Sequence, residues 1–431
     1  MTVDAPAPRA DLPAAQARWA PWTVLACLSL WPWVAPANVA VALTAVLTIG
    51  WLGLRRFRGG DGLLSREAWA LTTALFFSYW LPELFACIGA ADARRALVEV
   101  LTGLRFLPLL WLAAIAVHRE RERRIVFVGI AVLALYWTGD GLVQALTGHG
   151  LRGAANIEAG SGLVRISGIF GAQHPHLGQV LASLAVFPLG WVAPRAGRAG
   201  WLGVALLLGL VIVLSGSRAA VLTYALVLLF SSWRRLDWKQ LLGVLVAAVV
   251  GIAALATVFP AELHSRIARS QAIWHGGIDG LDAASSGRVR IWGAALCMAR
   301  EHPLNGVGVR GYRDAYAHCA PHMDTPAPWG DGSALHAHQI VLEVLSETGL
   351  IGLALWLIGA ALAIRAWRFA KPAARARAAL PAVALAVTVF PLNTHLAFYS
   401  SFWGGFTLLL AGLYVGALFG EDATIDTAGE R

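Results

Sequence analysis

Stretches of about 20 apolar residues, the length of a membrane-spanning helix, recur along the whole chain. They fall near residues 20–36, 38–54, 68–88, 100–117, 125–145, 176–193, 200–215, 219–233, 241–260, 338–364, 379–395 and 400–419. Only 14% of the residues are charged, against about 25% in soluble domains, so the composition excludes an ordinary soluble protein. The sequence therefore predicts an all-α polytopic membrane protein with about 12 transmembrane helices.

Basic residues cluster in the linkers that follow the even-numbered runs. They are Arg55, Arg56, Arg58, Arg119, Arg121, Arg123, Arg124, Arg195, Arg198, Arg234, Arg235, Lys239, Arg365, Arg368, Lys371, Arg375 and Arg377. Because cytoplasmic loops carry the excess of Lys and Arg, both termini are predicted to be cytoplasmic. These clusters account for the net charge of +9, and no nucleic-acid partner is inferred. The first 18 residues have no signal-peptide pattern, so we expect the first run to remain as a helix.

The linkers that face outward in this topology include the Gly-rich segment 147–175, the short turn 215–218 and the long segment 261–337. The last is long enough to form a small subdomain. The predicted organisation is residues 1–260 with helices one to nine, 261–337 as the large outward loop, 338–419 with helices ten to twelve, and 420–431 as a cytoplasmic tail.

The large outward loop carries one clear helical pattern. Residues 287–300 read as an amphipathic helix, with Ser285 or Ser286 as its N-cap, and the remainder is expected to be loop because it is rich in Gly, Pro and His. Cys297 and Cys319 lie in the same segment, and they can form a disulfide if it faces an oxidising compartment.

Arg218 stands out because it is flanked by apolar residues in "VIVLSGSRAAVLTYALVLL". A guanidinium in that position must either reach outward as an anchor or meet an anion. Gly216 and Ser217 leave backbone N–H groups near the start of the next helix, and an arginine at a helix N-terminus suits a pyrophosphate. We favour anion binding over a simple anchor.

Arg288 lies in "SSGRVRIWGAALCMAREHPLNGVGVRGY". Arg288 and Trp292 are four residues apart, so they share one face of the predicted helix. The helix then breaks at a glycine-rich turn that contains Arg310. Taken alone, this pattern is not specific for any ligand.

The run 338–364 begins with the polar residues "HAHQ". His336 and His338 are two residues apart and are not expected to point the same way on a regular helix. Gln339, Glu343 and Glu347 repeat every four residues, so they form one polar stripe, which either lines a cavity or pairs with arginines.

These motifs, in this order, resemble the O-antigen ligase and polymerase superfamily. The ligase signature is matched by His338 and Gln339, nine residues, Gly349, two residues and Gly352. "SGSR", "SGRVRIW" with "HPLNGVGVRGY", and "RISGIFGAQHPHLGQVLA" with Arg165 near its start are also similar to that family. The motifs cover roughly residues 160–355.

The resemblance implies a GT-C-like glycosyltransferase of the bacterial inner membrane, with its site facing the periplasm. The donor would be a glycan on undecaprenyl pyrophosphate, and the acceptor a sugar hydroxyl of lipid A–core, which completes lipopolysaccharide. The family's transfer is inverting and metal-independent, so we expect no cofactor and no metal.

The chemistry assigns roles to particular residues. His338 is the predicted base, because histidine is the usual base near neutral pH. Arg218 and Arg288 are predicted to bind the pyrophosphate, followed by Arg165, with Arg266 and Arg310 as further candidates. Residues expected to support the site are His336, Gln339, Trp292 and Ser217. Trp292, Trp329 and Tyr312 stack on sugars or pack the loop subdomain, and we favour packing. Gly349 and Gly352 are expected to permit close packing.

Other functions remain open. Within the superfamily the chain could instead be an O-antigen polymerase or a protein or pilin oligosaccharyltransferase, which differ in their acceptors. A transporter is the alternative of a different class. It is disfavoured because no internal repeat is apparent and the charged residues concentrate at the outer helix ends.

Overall fold

A computed structural model of the chain describes residues 17–57, 63–153, 155–159, 163–232, 277–321, 327, 333–391, 393 and 397–422. The helices of the first half are α1 (Ala20–Leu30), α2 (Val34–Phe57), α3 (Arg66–Ala86), α4 (Ala93–Gly103), α5 (Phe106–Ala116), α6 (Glu120–Thr147), α7 (Leu177–Leu184), α8 (Val186–Leu214) and α9 (Arg218–Ser232). Those of the second half are α10 (Gly277–Ala284), α11 (Arg288–Glu301), α12 (Tyr312–Cys319), α13 (Ile340–Phe369), α14 (Pro372–Thr388) and α15 (Ser401–Leu418).

Within these described residues, six helical segments, one of which includes both α4 and α5, are long and apolar enough to cross a membrane. They are Val34–Phe57, Ala93–Ala116, Glu120–Thr147, Val186–Leu214, Ile340–Phe369 and Ser401–Leu418. The chain is thus a largely helical, polytopic membrane protein. Described helices overlap the predicted apolar runs except 241–260, which lies outside the described residues. The number of crossings and the layout of the loops remain predictions.

The packing centre of the helical bundle is α15, which is buried along nearly its whole length. Gly412 and Gly416 are spaced as small-xxx-small, the pattern that lets membrane helices approach closely. A Cβ added at Gly412 would lie 2.5 Å from the carbonyl oxygen of Leu110, and one at Gly416 would lie 2.1 Å from that of Ala114. The two glycines therefore bring α15 against the backbone of α5.

Helix α8 contains a break that matches the sequence pattern. Gly197 has φ 59° and ψ −155°, outside the helical region, so the helical segments on either side of it are separate. The break falls between the predicted runs 176–193 and 200–215. A glycine is suited to this backbone because it has no Cβ to clash.

The Gly-rich segment 147–175 contains a short antiparallel hairpin, which the sequence did not predict. Strand β1 (Ile157–Ala159) pairs with β2 (Leu163–Arg165), with Ile157 opposite Arg165. A 3₁₀ turn over Gly168–Phe170 follows and leads toward α7.

The described part of the large loop packs around its own small core, to which Ile291, Met298 and Tyr312 contribute. The predicted helix 287–300 is present as α11, but its N-cap is Gly287 rather than Ser285 or Ser286. Helices α10 and α12 were expected to be loop and are helical instead. A disulfide joins Cys297 of α11 to Cys319 of α12, with 5.6 Å between their Cα atoms.

Candidate functional site

Helix α13 is interrupted at Gly349, and the glycine-rich loop 302–311 fills the interruption. Gly349 has φ 63°, and a Cβ there would lie 2.3 Å from the carbonyl carbon of Leu304. The N–H of Val307 donates to the carbonyl of Ser346 at 2.9 Å, and the N–H of Leu350 donates to that of Pro303 at 2.8 Å. The loop and the broken helix thus satisfy each other's backbone groups, and the glycine permits this close approach.

His338 lies just before α13 in a left-handed backbone conformation, with φ 53°. Non-glycine residues adopt this conformation rarely, and where they do so the surroundings impose it. Gln339 is the N-cap of α13, because its Oε1 accepts from the N–H of Leu342 at 2.6 Å while its Nε2 donates to the carbonyl of Pro391 at 2.9 Å. The predicted supporting role of Gln339 is therefore accompanied by a clear capping role.

The rings of His336 and His338 lie side by side, with their centroids 3.9 Å apart. The expectation that the two histidines point apart assumed a regular helix, and it does not apply because both residues precede α13. Burial lowers the pKa of His336 well below its usual value, and electrostatic interactions with His338, Arg310, Arg313 and His176 lower it further. His336 is therefore neutral near physiological pH.

Glu343 and Glu347, the rest of the polar stripe, are both fully buried on α13. Oε2 of Glu347 accepts from the backbone N–H of Arg310 at 2.9 Å, and Oε1 of Glu343 accepts from that of Tyr399 at 3.3 Å. Arg310 also has a left-handed backbone, with φ 59°. The two carboxylates thus hold two separate loops against the start of α13.

The arginines Arg165, Arg218 and Arg288 surround the turn between α8 and α9. Arg218 donates from Nη1 to the carbonyl of Ala284 at 3.0 Å and from Nη2 to Oγ of Ser286 at 2.9 Å. Burial lowers the pKa of Arg288, and the nearby positive charge of Arg218 lowers it further. The side chain of Arg165 lies against Gly216, where a Cβ would approach its Cγ, Cδ and Nε to 2.9 Å.

Ser217 caps α9, since its Oγ accepts from the N–H of Ala220 at 3.2 Å. Arg310 lies elsewhere, beside Glu347 and His336, rather than with the three arginines of this turn. Arg266 lies outside the described residues.

A buried ion pair fixes the turn that carries Arg288. Oδ2 of Asp282 lies 2.6 Å from Nε of Arg290, and its Oδ1 accepts from the backbone N–H of Arg290 at 3.0 Å. Asp282 therefore caps α11 from the preceding helix, in place of the serine that the sequence predicted. Pairs of this kind contribute more to a defined geometry than to stability.

The described aromatic candidates belong to the core of the loop. Trp292 packs against the cluster that contains Ile291 and Met298, and the hydroxyl of Tyr312 donates to the carbonyl of Ile291 at 2.6 Å. This supports packing rather than sugar stacking, and Trp329 lies outside the described residues. His176 and Arg313, which interact electrostatically with His336, were not singled out from the sequence, because only the fold brings them to the histidine pair.

Among the described residues, Cys297, Glu301 and Cys319 form a group with three potential metal-binding atoms. The two sulfur atoms are joined in the disulfide, so they are not available as thiolates. The group is therefore explained as a covalent link between α11 and α12.

Comparisons with known proteins agree with the motifs. A family profile described as O-antigen ligase matches residues 180–357. The chain is also 26% identical over 287 residues to the exopolysaccharide production protein ExoQ of Rhizobium meliloti (strain 1021), a match that covers 63% of this chain. It spans 60% of the length of that relative. Together with the motifs around Arg218, Arg288 and His338, these matches support membership of the chain in the O-antigen ligase superfamily.

Proposed function

We propose that the protein is an O-antigen ligase, which transfers a glycan from undecaprenyl pyrophosphate to a sugar hydroxyl of lipid A–core. The observation that carries the proposal is the arrangement of Arg165, Arg218 and Arg288 around one helix-starting turn. Like charges brought together in a partly buried place repel each other, so an anion bound among them is strongly stabilised.

The site has two tasks toward the pyrophosphate, and arginine suits both. It must bind the pyrophosphate as a dianion, and it must stabilise the further negative charge that the pyrophosphate takes up as the glycosidic bond breaks. A planar guanidinium binds phosphate oxygens through two parallel N–H groups and stays charged. The backbone N–H groups at the start of α9 add a second source of positive potential.

His338 is the proposed base. The acceptor hydroxyl attacks the anomeric carbon, Nε2 or Nδ1 of His338 takes the hydroxyl proton, and the bond from that carbon to the pyrophosphate oxygen breaks. The bonding electrons leave with undecaprenyl pyrophosphate, and a single displacement inverts the anomeric centre. The arginines stabilise the charge that develops on the leaving group, so the proposed mechanism requires no metal.

The proposed site faces the periplasm from the inner membrane, with both termini in the cytoplasm. Two features support this orientation. The basic linkers alternate with outward ones, and the loop that carries Arg288 contains a disulfide, a bond that persists in oxidising compartments. The undecaprenyl tail stays in lipid while the acceptor sugar stays in water.

A second candidate function is polymerisation of a lipid-linked glycan, in which the acceptor is another copy of the donor. The similarity to an exopolysaccharide production protein favours it. Both functions use the same donor site and the same base. They differ only in the molecule that presents the hydroxyl.

Reconstitution with a lipid-linked glycan and separate acceptors tests the proposal. The purified chain in proteoliposomes, with EDTA present, is given lipid A–core, a second lipid-linked glycan, a pilin peptide, or no acceptor. A product on lipid A–core supports the ligase, and a longer lipid-linked chain supports the polymerase. Transfer to the peptide alone, or movement of the glycan without any new bond, contradicts both.

A further inference from the structure

Two polar side chains are buried one turn apart on the apolar helix α6. Asp140 is 1% exposed and Gln144 is fully buried, although α6 is long and apolar enough to cross a membrane. Polar groups in such a helix are expensive, and they are retained where they have a partner and a function. Neither residue belongs to the proposed site itself.

Gln144 binds both sides of the segment that contains the β-hairpin. Its Oε1 accepts from the backbone N–H of Ser167 at 3.0 Å and from that of Gly168 at 2.6 Å. Its Nε2 donates to the carbonyl of Ala155 at 2.9 Å. One side chain thus holds the chain before β1 and the chain after β2.

Asp140 extends the same attachment by one helical turn. Its Oδ1 accepts from the backbone N–H of Leu151 at 2.7 Å. A Cβ added at Gly168 would lie 2.9 Å from its Oδ2, so the glycine backbone is packed directly on the carboxylate. Gly168 also has φ 53°, which disfavours any other residue there.

The segment held by α6 contains Arg165. Strand β2 ends at Arg165, two residues before the N–H of Ser167 that Gln144 binds. Between them, the N–H of Ile166 donates to the carbonyl of Leu214 at 3.3 Å, at the end of α8. Arg165 is therefore fixed from two sides, and its side chain lies over Gly216 in the turn that begins α9.

We propose that Asp140 and Gln144 are positioning residues for the donor pyrophosphate, and that they act through Arg165. This inference rests on the proposed function, because it assumes that Arg165 contacts that pyrophosphate. Neither residue touches the substrate. If the two residues were purely structural, replacing them would weaken the whole fold. If they position Arg165, replacing them weakens donor binding only while Arg165 is present.

A double-mutant cycle distinguishes the two roles. The full-length protein in nanodiscs is titrated with undecaprenyl pyrophosphate for the wild type, Gln144→Leu, Arg165→Ala and the double variant. We expect each single change to weaken binding about tenfold, comparable to losing one hydrogen bond to a charged group. The double variant should bind no more weakly than the weaker of the two single variants. Additive losses, or unchanged binding by Gln144→Leu, overturn the inference.

The matched control is Thr138→Val, because the hydroxyl of Thr138 is buried in α6 and bonds only to Ala134 of its own helix. We expect its binding to equal that of the wild type. If Gln144→Leu does not fold, Gln144→Glu replaces it in the cycle, since its carboxylate still accepts from Ser167 and Gly168 while the bond to Ala155 is lost. We expect Gln144→Glu to weaken binding several-fold in the wild-type background and to have no further effect in the Arg165→Ala background. Unchanged affinity, or losses of affinity that add up in the double variant, overturn the inference.

The donor site is tested separately by Arg218→Ala. If the wild type binds undecaprenyl pyrophosphate and Arg218→Ala does not, the proposed donor site holds, and an additive cycle then overturns only the role of Asp140 and Gln144. If the wild type itself does not bind the lipid, the proposed function and this inference are both wrong.

Discussion

The carboxylate of Glu347 accepts a hydrogen bond from the backbone N–H of Arg310, 37 residues earlier in the chain. This contact joins the fully buried polar side of α13 to a loop whose backbone is left-handed at Arg310. Because Arg310 and the neighbouring Arg313 act electrostatically on His336, the contact also fixes the charges around the histidine pair.

Replacement of Glu347 tests the importance of this contact. We expect Glu347→Ala to lower the free energy of unfolding by about 1–3 kcal/mol, since it leaves a buried N–H without an acceptor. Glu347→Gln should cost much less, because the amide oxygen still accepts. Thermal unfolding in detergent measures both, with Glu301→Ala on the exposed surface as the control. Equal losses for Ala and Gln would contradict this account.

His338 can be replaced without disturbing its unusual backbone. Asparagine tolerates positive φ better than alanine does, so His338→Asn removes the base while keeping the turn. We expect transfer to fall by about 100-fold or more, with donor binding unchanged. The exposed His302→Asn is the control. Wild-type rates of lipopolysaccharide completion by His338→Asn would show that another group removes the proton.

Replacement of Arg218 or Arg288 by lysine should preserve donor binding only in part. Lysine keeps the charge but not the planar fork, so Arg218→Lys loses at least one of the bonds to Ala284 and Ser286. We expect the alanine variants to lose donor binding and the lysine variants to recover it only in part. Binding is measured by titration with undecaprenyl pyrophosphate, with Arg300→Lys on α11 as the control. Complete recovery with lysine would argue against a two-pronged contact.

The disulfide should stabilise the loop that presents Arg288. Its cysteines are 22 residues apart, and closing a loop of that size contributes about 3 kcal/mol. We therefore expect Cys297→Ser/Cys319→Ser to unfold at a lower temperature than the wild type, and a reducing agent to have the same effect on the wild type alone. A reductant that shifts both proteins equally would point to another cause.

Acid should destabilise the site through His336. Its folded-state pKa lies well below the ordinary value of 6.5, so the unfolded chain takes up a proton at a higher pH than the folded chain does. Its contribution to stability is therefore present above about pH 6.5 and is lost as the pH falls toward the folded-state pKa. We expect the unfolding temperature of His336→Gln to depend less on pH across this range. An identical pH profile would exclude His336 as the cause.

The sequence predicted some local features of this fold and missed others. The helix 287–300 was found within one residue because its apolar positions follow the helical period. Its N-cap was predicted wrongly, since Gly287 occupies that position and the side-chain acceptor for the first turn comes from Asp282 of the preceding helix. Helix α12 was missed because its polar sequence resembles loop until Tyr312 and Tyr316 are seen to be buried.

The candidate site also combines features with a local sequence signal and features that depend on the fold. His338 and Arg218 were proposed as site residues from motifs, whereas the contact of Glu347 with Arg310 depends on a long-range approach that no spacing encodes. The attachment of the hairpin by Gln144 had a local signal, since a polar pair spaced by four residues interrupts an apolar run. What that pair holds became visible only in the folded chain.

The interruption of α13 at Gly349 has a mechanical consequence. Separating the loop 302–311 from the helix would leave backbone groups unpaired on both sides. Each buried unpaired group would cost about 1–3 kcal/mol of free energy. We therefore expect the loop and the helix to move together as one unit. If the protein transfers a glycan as proposed, an opening on this side of the site would move the loop and the helix together.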